Sequence, residues 1–132
     1  CPGFVDAKVL AHSRRCAQQT LDARVFRARR HLFDIVKWTL NALIEAEEYG
    51  VTAANVEEMS TSSKNPGIQR LLGATPGMGK NLGVDEAWAK NAIAAVGNYG
   101  EIWTRNIEPL GLPRGLNKLW NDGGIMYAAP VR

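Results

Sequence analysis

No stretch of the 132-residue chain approaches the ~18 uncharged apolar residues that a membrane-spanning helix requires, so a helical membrane span is excluded. Cysteine is scarce, and two are too few for a disulfide scaffold. Six Pro and 13 Gly are too few for a fibrous or low-complexity chain. No Ser sits in a G-x-S-x-G elbow, so the nucleophile turn of the α/β-hydrolases is absent. Strand-like alternation is lacking throughout, and no repeat recurs at a fixed period. Hydrophobic residues at 45% and charged residues at 22% are ordinary for a globular domain and exclude disorder over the whole length.

A net charge of +3 invites a nucleic-acid reading, but the charge is unevenly placed. Residues 1–32 carry seven Lys or Arg against Asp6 and Asp22, a net +5. Residues 33–132 hold nine basic and eleven acidic residues, a net −2. Cys1, Cys16, His12 and His31 all fall in the first segment, and Trp38, Trp88, Trp103 and Trp120 in the second. Two segments are therefore expected, a basic one over 1–32 and a second over 33–132. The chain opens on Cys1 rather than Met, which suggests processing or a longer parent. Asp6 and Lys8 interrupt the short apolar patch over 4–11, so no signal peptide is visible.

The expected architecture is all-α. Residues 6–30 contain no Pro or Gly, and Leu21, Val25, Ala28 and Leu32 recur at helical spacing and run on into Val36. Residues 33–48 form the strongest helical pattern. Phe33, Val36, Leu40, Leu43 and Ile44 make one apolar face, and Ile35, Trp38, Ala42 and Ala46 a second, which implies burial on both sides. Gly50 is a suitable stop. Thr52 is expected to cap a helix over 53–59, with a loop over 60–67. Pro66 opens a short helix ended by Gly73, and residues 73–83 read as irregular. Asp85 is expected to cap a helix to Val96. A second helix follows, with a Glu101–Arg105 pair, and 114–120 is expected as a last short helix before an extended tail.

Each candidate for chemistry has a plainer alternative. GATPGMGKN resembles a phosphate-binding loop, but Gly73 lies one residue too far from Gly79-Lys80, and Asn81 stands where the hydroxyl should be. A surface loop is favoured. Cys1, His12, Cys16 and His31 include no C-x₂₋₄-C or H-x₃₋₅-H pair, so no metal site is expected. Glu45, Glu47, Glu48, Glu57 and Glu58 are read as acidic helix ends on a solvated face. The Arg cluster over 24–30 has only Phe26 interleaved, too little for a base-stacking platform. The four Trp are read as core. No catalytic residue, ligand-binding residue, metal or cofactor is expected, and nothing argues for an enzyme.

The pieces FDIVKWTL, VGNYGEI, RGLN-x-LW and the tail GG-x-x-YA-x-PVR are more specific in combination than any one of them. Across 33–132 the chain resembles the C-terminal portion of the general L-amino-acid-binding proteins of bacterial ABC transporters, a group of periplasmic solute-binding proteins. The resemblance implies a two-lobed α/β fold that closes on an L-amino acid and presents it to a membrane permease in the periplasm. Closure works by population shift, since the ligand meets both lobes only in the closed form. In that family an Arg fork holds the carboxylate and an Asp takes the ammonium, both upstream of the matched segment. No ligand residue is carried over. Residues 1–32 do not match what precedes FDIVKW in the family, as a shifted reading frame or a fusion would produce. The chain is thus expected to be a helical C-terminal remnant.

The alternative is a small helical nucleic-acid-binding or oligomerising module led by Arg14–Arg30. The acidic remainder makes a nucleic-acid partner unexpected. A remnant lacking its sheet should leave one face of helix 33–48 bare. Either residues 6–30 fold back as a helix to cover that face, or the chain self-associates through it.

Overall fold

The computed structural model describes the backbone of residues 7–129 and the side chains of residues 24–129. Cys1 and the last three residues of the tail lie outside the described residues, as do the side chains of His12, Cys16 and Leu21. The chain divides into two units, Cys1–Asp34 and Ile35–Arg132.

Helix α1 spans Ala7–Glu48, 42 residues uninterrupted by Pro or Gly. The stretches over 7–30 and 33–48 thus belong to one continuous helical span. In the first unit, Val25, Phe26, Leu32 and Phe33 are all exposed, and the Arg30 guanidinium sits 5.0 Å from the centre of the Phe26 ring.

The second unit begins within α1 and turns at its end. Gly50 takes φ of +68°, which suits a residue without Cβ. The Gly50 N–H donates to the Glu47 carbonyl at 3.0 Å and the Val51 N–H to that of Ala46 at 2.8 Å. These two bonds satisfy carbonyls that a helix end otherwise leaves unpaired, and Val51 is pulled fully into the core.

Four short helices follow: α2 (Val56–Ser62), α3 (Pro66–Leu71), α4 (Met78–Leu82) and α5 (Trp88–Val96). Then come α6 (Tyr99–Asn106) and 3-10 turns at Glu108–Leu110, Gly115–Asn117 and Trp120–Asp122. Several boundaries differ from expectation. Thr52 does not cap a helix at 53; it exchanges hydrogen bonds with Asn55, and α2 starts three residues later. Asn65 caps α3 by accepting from Gly67 N–H at 2.8 Å, with Pro66 in the first turn as expected. Asp85 accepts from Ala87 N–H, and α5 begins only at Trp88. Over 114–120 only Gly115–Asn117 winds into a 3-10 turn rather than an α-helix, and Leu119 is drawn into a parallel bridge with Met126. That isolated bridge is the one β interaction among the described residues.

The core gathers Leu43, Val51, Val56, Leu71, Leu72 and Ile93, with Ala42, Ala46 and Ala89 allowing close approach between elements. Trp38 and Trp88 pack against its edge, as expected, whereas Trp120 is 53% exposed. A smaller cluster joins Ile44 of α1 to Leu119 and Ala128. Residues 42–46 of α1 are therefore buried on every side, as the doubly apolar pattern implied. One turn earlier the cover ends, with Val36 60% and Leu40 47% exposed. A buried polar joint links α6 to the chain leaving α1. Asn98 donates to the Val51 carbonyl at 2.8 Å and accepts from Glu101 N–H, while Glu101 accepts from Asn98 N–H and Ala53 N–H. Glu101 is thus committed to a capping box. The expected pair with Arg105 is replaced, and Arg105 donates to the Val96 carbonyl.

Candidate functional site

The Gly-rich loop does gather backbone N–H groups around an anion, but the anion is the chain's own. Gly77 and Gly79 donate to Glu86 Oε2 at 3.0 and 3.1 Å, and Lys80 donates to Oε1 at 3.0 Å. Converging N–H dipoles form the same kind of nest that phosphate loops use. Here the Glu86 carboxylate fills it. The loop approaches its own returning segment closely: a Cβ at Gly79 would lie 2.5 Å from the Asp85 carbonyl oxygen. The expected irregular stretch therefore contains α4, held by this nest rather than by helix propensity.

Hydrogen bonds from Gly77 and then Lys80 hold the Glu86 carboxyl below its ordinary value of 4.5. A carboxyl acidified on folding contributes stability above its unfolded pKa, and loses it as pH falls through the folded value. Glu86→Gln is expected to lower stability at neutral pH. It should also flatten the part of the stability profile that falls as pH drops from about 4.5. Denaturant titrations at a series of pH values check both effects, and equal slopes for the two proteins below that value would contradict the nest.

The acidic end of α1 is not a solvated face. Glu47 accepts two hydrogen bonds from Arg114, at 2.5 and 2.6 Å, in a bidentate fork. Arg114 also donates to the Asn117 carbonyl and lies 5.5 Å from the centre of the Tyr99 ring. The bond to Glu47 raises the Arg114 pKa further above its ordinary value. Glu45 is buried and Glu48 accepts from Trp120 Nε1 at 3.4 Å. Burial, followed by the Glu45 and Glu48 charges, raises the Tyr49 phenol. Beside this joint lies a cavity of about 190 Å³ lined by Trp103, Thr104, Glu108, Leu112, Pro113 and Arg114. Small-molecule sites typically run to roughly 300–1,000 Å³. The Arg114 fork is already committed to a carboxylate of its own chain.

Of the other sequence candidates, Arg24, Arg27 and His31 line, with Ala28, one open groove of about 370 Å³ on the first unit. His31 and the arginines at 24, 27, 29 and 30 are exposed on the first unit. Among the described residues no group of three His, Cys, Asp or Glu is placed to hold a metal. No helix among them is long and apolar enough to cross a membrane. The polar joints around Glu86, Arg114 and Asn98 were not anticipated. Asn98-x-x-Glu101 carries a readable capping signature, but the partners of Glu86 and Arg114 do not.

The second unit is helical, is cross-braced by Arg114–Glu47, and ends in an extended segment docked on α1. Comparisons with known proteins show what the chain is similar to. This chain is 54% identical over 102 residues to the glutamate/glutamine/aspartate/asparagine-binding protein BztA of Rhodobacter capsulatus. That match covers 75% of this chain and 30% of the relative. It is 57% identical over 105 residues to the general L-amino acid-binding periplasmic protein AapJ of Rhizobium johnstonii, covering 76% of this chain and 30% of the relative. Three quarters of the chain is homologous to periplasmic amino-acid-binding proteins of bacterial ABC transporters. A solved ABC transporter/periplasmic binding protein from Brucella ovis, with glutathione bound, superposes with a TM-score of 0.74 at 54% identity. It covers 78% of this chain and 33% of that one. No family model matches. The helical unit is thus a part of a two-lobed periplasmic-binding-protein fold, and the chain spans about 30% of the length of these relatives. The relatives are named as binding proteins rather than enzymes.

Proposed function

We propose that residues 33–132 are the C-terminal part of the substrate-binding component of an amino-acid ABC transporter. In the whole protein this component acts in the periplasm, closes on an L-amino acid and hands it to a membrane permease, without catalysis or cofactor. Residues 1–32 are a separate basic segment outside this role. The observation that carries the proposal is 54–57% identity to two amino-acid-binding proteins over three quarters of the chain.

No ligand residue is assigned to this chain. The Arg114 fork grips Glu47 and the glycine nest grips Glu86, so neither offers an open charge to a free amino acid. Calorimetric titration of the chain with a panel of L-amino acids is expected to show no saturable binding. Micromolar binding would overturn that assignment. Joining residues 33–132 covalently to the part of BztA outside the match tests the wider reading, since that chimera should bind the relative's amino acids. Alone, the chain is expected to self-associate through Val36 and Leu40 of the 33–48 helix, which light scattering across a concentration series will register.

A further inference from the structure

We infer that residues 24–34 of α1 form an interfacial helix that binds anionic phospholipid membranes, its apolar side entering the acyl boundary and its arginines meeting the headgroup phosphates. The inference goes beyond the proposed transport role and does not depend on it. Four Arg and one Asp give this stretch a net charge of +3. Arg24, Arg27 and His31 stand at i, i+3 and i+7, and with Ala28 they line one open groove along the helix. Val25, Phe26, Leu32 and Phe33 stand at i, i+1, i+7 and i+8 and share another side. They are 50%, 62%, 62% and 64% exposed. The Arg30 guanidinium lies over the Phe26 ring, at the border between the two sides. Arg29 interrupts the apolar side, but its long stem lets the guanidinium reach the headgroups while the methylenes stay below them.

A helix with a basic side and large apolar residues on the other lies in the plane of a membrane surface, its apolar side chains buried roughly 5–10 Å deep. No helix among the described residues is long and apolar enough to cross a membrane, so this stretch lies on the surface rather than spanning it. Charge selects the occupant. A second copy would bring the same net +3 to the contact, and like charges repel. A nucleic acid would engage the arginines but leave Val25, Leu32 and Phe33 in water, because its stacking contacts need flat aromatic faces among the basic residues. An anionic lipid surface answers both sides at once, phosphate to guanidinium and acyl chain to Val25, Phe26, Leu32 and Phe33.

The test sediments the full chain, cleared of aggregates, with vesicles of phosphatidylcholine alone and of phosphatidylcholine mixed with phosphatidylglycerol, over a series of salt concentrations. Binding to the mixed vesicles is expected to be roughly tenfold tighter or more, and to weaken as salt shortens the range of the charges. Arg24→Gln combined with Arg27→Gln should weaken it roughly tenfold. Phe26→Ala combined with Phe33→Ala should weaken it by a similar factor while keeping the salt dependence. Both rings are exposed and Ala favours a helix, so the circular dichroism spectrum in solution should not change. If it does, Val25→Ala with Leu32→Ala, on the same side, is measured in its place and should show the same loss. Leu110→Ala, exposed in the second unit, should bind as the unaltered chain does. Equal binding to the two kinds of vesicle, or to neither, overturns the inference. So does a loss confined to the arginine variants, which would mean adsorption by charge without insertion. Tighter binding to a DNA duplex than to the mixed vesicles would assign the face to nucleic acid. Loss of self-association in the Phe26→Ala and Phe33→Ala chain without vesicles would assign it to a second copy, and either result sinks the membrane reading.

Discussion

Ile93→Ala should be the most damaging single truncation in the second unit. Ile93 is fully buried near the middle of α5, in the cluster that also holds Leu43, Val51 and Leu71. Removing three carbons there loses their transfer energy and leaves a cavity, together worth ~2–5 kcal/mol. A domain of this size has only ~5–15 kcal/mol in total. Val96 lies three residues further along the same helix but is 39% exposed, so Val96→Ala should cost under ~1 kcal/mol. Urea unfolding followed by circular dichroism separates the two variants. Similar midpoints would mean that α5 does not present Ile93 to a packed interior.

Arg114→Ala ranks second. It strands the Glu47 carboxylate, whose side chain is 14% exposed, without either of its two guanidinium bonds. Removing one partner of a fully buried pair costs about 3–5 kcal/mol. Partial solvent access at both residues lowers the expectation to roughly 2–3 kcal/mol. That corresponds to a fall in Tm of roughly 10–20 °C for a unit of this size. Arg114→Lys should recover only part of the loss, because an ammonium cannot span both oxygens as the fork does. Adding Glu47→Gln to Arg114→Ala should restore stability relative to Arg114→Ala alone, since no charge is then stranded. Thermal melts of the wild type, Arg114→Ala, Glu47→Gln and the double variant check the cycle. Additive losses would show the pair to be uncoupled.

Features set by neighbours in sequence were legible. The helical pattern over 33–48, its stop at Gly50 and the start of α3 at Pro66 all follow from local pattern and capping chemistry. Where two local rules compete for one side chain, helix capping outweighs an i,i+4 ion pair. Glu101 has Arg105 four residues ahead and Asn98 three behind, and the backbone N–H groups at the helix start prevailed. Distance along the chain hid the rest. Glu47 and Arg114 are 67 residues apart, and no spacing rule announces their pairing. The glycines over 73–83 argued against α4, which exists because Glu86 neutralises the N–H groups at its start. The family segment was legible from its combined motifs, and the absence of an assigned ligand residue follows from the resemblance rather than from composition.

The 67-residue separation of Glu47 and Arg114 also has a consequence for synthesis. At about 5–20 residues per second, a ribosome makes Arg114 roughly 3–13 s after Glu47. Until then, Glu47 sits at the negative end of the α1 dipole without the guanidinium fork that later grips it. The last turn of α1 therefore emerges as the frayed end of an otherwise sound helix. It is locked in place only when the final fifth of the chain arrives.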